Sequence, residues 1–204
     1  MKEQTKVRLK ICGLRREEDI EMVNEACPEY AGFILHFPKI FRNISEEQLV
    51  HLRERLRPEI IPVGVFVNAD PSIPEKLLKD GTIGMAQLHG TESSEYIRTL
   101  QRRTGKPVIK AFSIRTEQDI ENALKSPADY ILLDQGSGGT GKTFDWSLVP
   151  HISRPYFLAG GLSEENIPEA LERLHPWGID LSSSLETDRK KDREKIQRIR
   201  SLIR

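Results

Sequence analysis

The chain has 204 residues, 31 Lys and Arg against 31 Asp and Glu, 37% hydrophobic residues and two cysteines. That length fits one domain, residues 1–204, better than two, and the balanced charge gives no overall electrostatic attraction for nucleic acid. No apolar run approaches the roughly 18 residues of a membrane span, the opening MKEQTKVRLKICG lacks a secretory apolar segment, and Cys12 and Cys27 are too few for a disulfide scaffold, so a cytoplasmic protein is expected.

Short apolar, β-branched runs recur along the chain. The first, 7–12, ends at Cys12 and Gly13, and the second, 31–37, leads through Lys39 to Arg42. Ser45, Glu46 and Glu47 then read as a helix start before QLVHLRERL. Runs at 60–67 and 83–89 follow, the latter carrying Gln87 and His89, and then 107–112 and 130–134, which ends at Asp134. The last two, 156–160 and 178–182, end at Gly160-Gly161 and Ser182-Ser183-Ser184, with a second helix start expected at 163–166.

Eight such runs in this length give about 25 residues per repeat, close to the minimum for a parallel βα unit. They lack clean polar alternation, as expected of strands covered on both faces. A closed single-domain (β/α)8 barrel, of the α/β class, fits this count, with an open doubly wound sheet as the alternative. The last helical stretch, from Asp188, is rich in Lys and Arg and reads as a solvated outer face.

Residues 136–143, GSGGTGKT, satisfy the Walker A pattern and follow a strand. A nucleotide-binding loop runs directly into a long helix, yet here Pro150 arrives about six residues later. A glycine-rich loop closing over a substrate is the better reading, with a P-loop NTPase as the alternative.

In a barrel the active site lies at the carboxyl ends of the strands. That criterion selects Cys12, Arg42, Gln87, His89, Asp134 and Ser182 to Ser184. A lone cysteine is more often packing than a base, and a strand-ending aspartate is often a turn former. An acid beside a thiol nevertheless suggests proton transfer. The loops after strands seven and eight, Gly160-Gly161 and Ser182 to Ser184, stand where barrels bind phosphate through backbone N–H groups, so a phosphorylated small molecule is the expected partner.

Lys10-Ile11-Cys12-Gly13, Val63-Gly64-Val65-Phe66, Gln87-Leu88-His89-Gly90, Leu133-Asp134 with the following GGTGKTFDW, and Gly160-Gly161-Leu162 together resemble the phosphoribosylanthranilate isomerase family of tryptophan biosynthesis. The resemblance covers nearly the whole chain in order. It implies a cofactor-free Amadori rearrangement, in which Asp134 protonates the furanose oxygen and Cys12 takes the proton from C2. Those roles lead us to expect a raised pKa for Asp134 and a depressed one for Cys12. The resemblance also gives Arg42 to the anthranilate carboxylate, with Lys39 as the fallback cation, although Ile40 and Phe41 depart from the family pattern. A second departure is Ser184, where the family carries glycine. Gln87, His89, Gly160, Gly161, Asp180, Ser182, Ser183 and Ser184 complete the expected substrate-binding set. Lys10 faces the same side of its strand as Cys12 and needs a buried partner, for which Asp180 on the neighbouring last strand is the candidate. The sequence suits a monomer or a homodimer equally, and a barrel that binds sugar phosphate without turnover is the remaining alternative.

Overall fold

The computed structural model describes residues 7–136 and 143–203. Eight parallel strands form the barrel: β1 Arg8–Cys12, β2 Tyr30–Leu35, β3 Ile61–Phe66, β4 Met85–Leu88, β5 Val108–Ser113, β6 Tyr130–Asp134, β7 Tyr156–Leu158 and β8 Gly178–Leu181. Each pairs with its successor, and β1 pairs with both β2 and β8, which closes the barrel and excludes the open sheet. A two-residue strand, Asn43–Ile44, extends the end of β2 in parallel. Every expected strand is present, with ends shifted by at most two residues.

Helices α1 Glu17–Ala26, α2 Glu46–Glu54, α3 Ser72–Lys79, α4 Ser94–Thr104, α5 Glu117–Leu124, α6 Ile167–Leu174 and α7 Arg193–Leu202 surround it. Their starts follow from the sequence. The Ser45 hydroxyl accepts the Gln48 N–H at 3.1 Å, as the reading of that segment expected. The start expected at 163–166 also holds, since α6 begins at Ile167, but it carries no side-chain cap. Instead the Asn166 side chain bonds back to the Gly161 carbonyl and the Ser163 N–H, closing the loop that leaves β7.

Strand side chains alternate between two cores. Leu9, Ile11, Phe33, Ile131 and Ile179 pack outward under the helices. Val63, Met85, Ile109, Leu132 and Phe157 fill the barrel interior. Its lower end is plugged by Tyr30, Tyr130, Phe157 and Trp177, whose rings meet at centroid distances of 4.6–6.0 Å. The polar mouth is therefore at the carboxyl ends of the strands.

The Walker-like residues 137–142 lie outside the described residues. After them, Thr143–Asp145 is not helical, and only a single 3-10 turn, Trp146–Leu148, follows. The long helix whose amino end a nucleotide-binding loop requires is absent there, which overturns the NTPase alternative.

Candidate active site

Cys12 ends β1 on the interior side, directly above Lys10. Lys10 is fully buried and its Nζ lies 3.0 and 3.1 Å from the two Asp180 carboxylate oxygens. The register explains the match, since Lys10 and Asp180 are direct partners across β1 and β8. Burial pushes the Lys10 ammonium down, but the Asp180 carboxylate outweighs it and holds the pKa above its ordinary value. The space where a Cβ on Gly32 would stand is 2.8 Å from Cys12 Sγ and 2.9 Å from Lys10 Nζ, so both atoms crowd over that glycine.

The Cys12 thiol departs from expectation. It is 7% exposed, and burial pushes its pKa up; the Lys10 and Lys191 ammonium groups pull the other way without offsetting it. In the free site the thiol is therefore held protonated, where the sequence suggested a thiolate.

Asp134 stands at the end of β6. Its Oδ2 lies 3.3 Å from His89 Nε2, and the Gln87 amide nitrogen lies 3.0 Å from His89 Nδ1. Gln87 and His89 thus point into the mouth from β4 and the residue just past it, with the Gln87 amide donating to Nδ1 and the Nε2–H directed at the carboxylate. Burial pushes the Asp134 pKa up, but the His89 contact and the backbone N–H groups of Gly136 and Gln135 outweigh it. The carboxyl is therefore held below its ordinary range, opposite to the raised value expected from its assigned role. Gly160 shapes this side. Its φ is +79°, and a Cβ there would come within 2.4 Å of Asp134 Oδ1, so the loop after β7 closes on the carboxylate only because that residue is glycine.

Arg42 reaches the mouth from the loop after β2. Its Nε and Nη2 donate to Glu186 at 2.8 and 2.6 Å, and Glu186 also accepts from Lys191 at 2.9 Å. Lys39 is exposed. Glu186–Thr187 and Lys190–Lys191 form a short antiparallel hairpin. Ser182 ties this cluster to β1, because its hydroxyl donates to the Cys12 carbonyl while its own carbonyl accepts from Lys191. Ser183 and Ser184 lie in the 3-10 turn Ser183–Leu185. Ser184 is not among the residues with positive φ, so the serine is accommodated without backbone strain. Gly160 and Gly161, in the loop after β7, both have positive φ.

The sequence reading did not assign Glu186, Lys191, Glu92 or Lys110. Lys110 points out of the barrel from β5, and its ammonium donates to the carbonyls of Gly90 at 2.7 Å and Ala111 at 3.1 Å and lies 3.2 Å from Glu92. The Glu92 carboxylate accepts the N–H groups of Asn68 and Gly90. This buried pair braces the turn that presents His89. Its only signal in the sequence is a lysine amid the apolar run of β5.

The family profile described as "N-(5'phosphoribosyl)anthranilate (PRA) isomerase" matches residues 9–201. A protein of Endomicrobium trichonymphae named N-(5'-phosphoribosyl)anthranilate isomerase is 45% identical, covering 93% of this chain and 94% of its own. Among solved structures, a phosphoribosyl anthranilate isomerase from Thermus thermophilus superposes with a TM-score of 0.86 at 31% identity, covering 96% of this chain and 98% of that one. A second, a phosphoribosyl anthranilate isomerase in complex with reduced 1-(o-carboxyphenylamino)-1-deoxyribulose 5-phosphate, gives 0.85 at 35% identity, with 97% and 98% covered.

Proposed function

The chain belongs to the N-(5'-phosphoribosyl)anthranilate isomerase family of tryptophan biosynthesis, and from that premise we propose that Cys12 and Asp134 divide the acid–base work of its reaction. The observation that carries this reading is their placement. A thiol crowded against the Lys10 ammonium and a carboxylate held by His89 stand on β1 and β6 at one mouth of a closed barrel.

Asp134 protonates the ring oxygen of the aminoaldose N-(5'-phosphoribosyl)anthranilate. The C1–O bond breaks as the nitrogen lone pair forms an iminium. Cys12 then takes the C2 proton, the released electron pair becomes a C1–C2 double bond as the iminium is neutralised, and the enol amine tautomerises to the ketose. This requires a carboxylic acid and a thiolate, whereas the free site holds a carboxylate and a thiol. The two arrangements contain the same number of protons, so the reactive one is the minor protonation state of the two groups taken together. Once the ring opens, the iminium charge adjacent to C2 favours the thiolate by direct attraction.

The loops after β7 and β8, with Gly160, Gly161 and Ser182 to Ser184, take the phosphate, and Arg42 takes the anthranilate carboxylate through its planar fork. Gln87 and His89 line the wall between, with Asp180 beneath. Among the described residues no helix is long and apolar enough to cross a membrane, and two free cysteines suit a reducing cytoplasm.

The test is the loss of anthranilate-type fluorescence from freshly generated substrate. We expect rapid loss with the wild type, and a fall of roughly a hundredfold or more in both Cys12→Ala and Asp134→Asn. Wild-type-like rates in either variant would remove that residue's role. Binding of substrate without conversion by the wild type would leave a barrel that only holds sugar phosphate.

A further inference from the structure

Glu186 is 8% exposed and serves two cations, Arg42 at 12% and Lys191 at 1% side-chain exposure. Its contact with Arg42 is bidentate and uses Nε and Nη2. A guanidinium has two edges that can each hold a carboxylate, the Nε–Nη2 side and the Nη1–Nη2 end. Glu186 takes the side, so the end is the edge left for a second carboxylate. The face of the same guanidinium lies over Phe41, 4.3 Å from the ring centroid, with Arg15 and Arg189 around that ring at 5.5 and 5.3 Å. Arg42 is thus fixed both at its side and on its face, and Phe41, which departs from the family pattern, acquires a role as its platform.

Charge reinforces the geometry. Burial pushes the Glu186 carboxyl up, but Arg42 and Lys191 outweigh it and keep it ionised. Arg42 and the buried Lys191 thus share this one carboxylate, and burial pushes the Lys191 ammonium down.

We propose that Glu186, itself anchored by Lys191, is a positioning residue for the isomerisation, fixing Arg42 by its side so that the terminal edge selects substrates bearing a carboxylate on the aromatic ring. This rests on the reading of Arg42 as the carboxylate-binding group. The test titrates wild type, Glu186→Gln, Arg42→Lys and the double variant with two ligands. One is reduced 1-(o-carboxyphenylamino)-1-deoxyribulose 5-phosphate, and the other is its phenylamino counterpart without the ring carboxylate.

Glu186→Gln should weaken the carboxylated ligand roughly tenfold and leave the other unchanged, because the loss of the contact that holds the Arg42 side in place outweighs the gain in local positive charge. KM should rise by a similar factor with kcat little changed. Arg42→Lys, which has no second edge, should lose the same preference, and the double variant should be no worse than Arg42→Lys alone. Lys191→Met removes the anchor of Glu186, and should also weaken only the carboxylated ligand.

Unchanged or tighter binding of that ligand by Glu186→Gln, or equal weakening of both ligands in either variant, would overturn the proposal. If Arg42→Lys keeps the preference, the assignment of Arg42 falls and takes this inference with it. If Arg42→Lys loses it while Glu186→Gln keeps it, the inference alone falls.

Discussion

Replacing Lys10 with Met isolates the energetics of the buried ion pair beneath the thiol. The ammonium is fully buried, Asp180 has a side-chain exposure of 8%, and the contact is bidentate at 3.0 and 3.1 Å. Met fills similar volume but leaves the Asp180 carboxylate buried without its counter-charge. Removing one partner of such a pair costs about 3–5 kcal/mol, which for a domain of this size lowers Tm by roughly 10 °C. The sign with pH follows from linkage. Without the ammonium, the folded-state pKa of Asp180 rises further above its unfolded value, so the cost is full at neutral pH and shrinks as acid protonates the carboxyl. Urea denaturation at neutral pH and near pH 5 measures both, and the Lys10→Met/Asp180→Leu double variant should recover most of the loss. A deficit below about 1 kcal/mol at neutral pH, or a double variant no more stable than the single one, would refute the reasoning.

Glu29 accepts the Leu9 N–H at 2.8 Å and pairs with the buried Arg200. Burial pushes its carboxyl up, but these partners outweigh it and hold it below the ordinary value. Its stabilisation is therefore present above the unfolded pKa and lost as pH falls through the folded one; Glu29→Gln should cost about 1–2 kcal/mol at pH 7 and flatten the acid side of a stability–pH curve. Gly160→Ala places a Cβ against Asp134 at a positive φ, and we expect kcat to fall at least about tenfold together with a lower Tm. His89→Ala removes the main group opposing burial at Asp134, so the acidic limb of kcat/KM should move to higher pH. A limb left in place would show that His89 does not control that carboxyl.

The strands were legible because parallel strands covered on both faces read as unbroken apolar runs. The Lys10–Asp180 pair was legible for a related reason, since alternation put Lys10 inside and barrel closure put β8 beside β1. The ionisation states of Cys12 and Asp134 were not, because each depends on neighbours brought by other strands. His89 comes from beyond β4 to hold a carboxylate on β6, and the interior that buries Cys12 is assembled from all eight strands. Arg42 was singled out by its position in the family resemblance despite the departures before it, but its partner Glu186 lies 144 residues away, on a hairpin too short for periodicity to reveal. The helix start at 163–166 was legible as well, but not that the Asn166 side chain turns back to the Gly161 loop rather than capping the helix.

The pH dependence of kcat/KM for the wild-type protein tests the division of labour most directly. With Asp134 held below its ordinary range and Cys12 above its own, the account gives a broad plateau, with its acidic limb below the ordinary aspartate range and its basic limb above the ordinary cysteine range. A narrow bell with both limbs near neutrality would mean a free enzyme already poised with a thiolate and a carboxylic acid, and would contradict it.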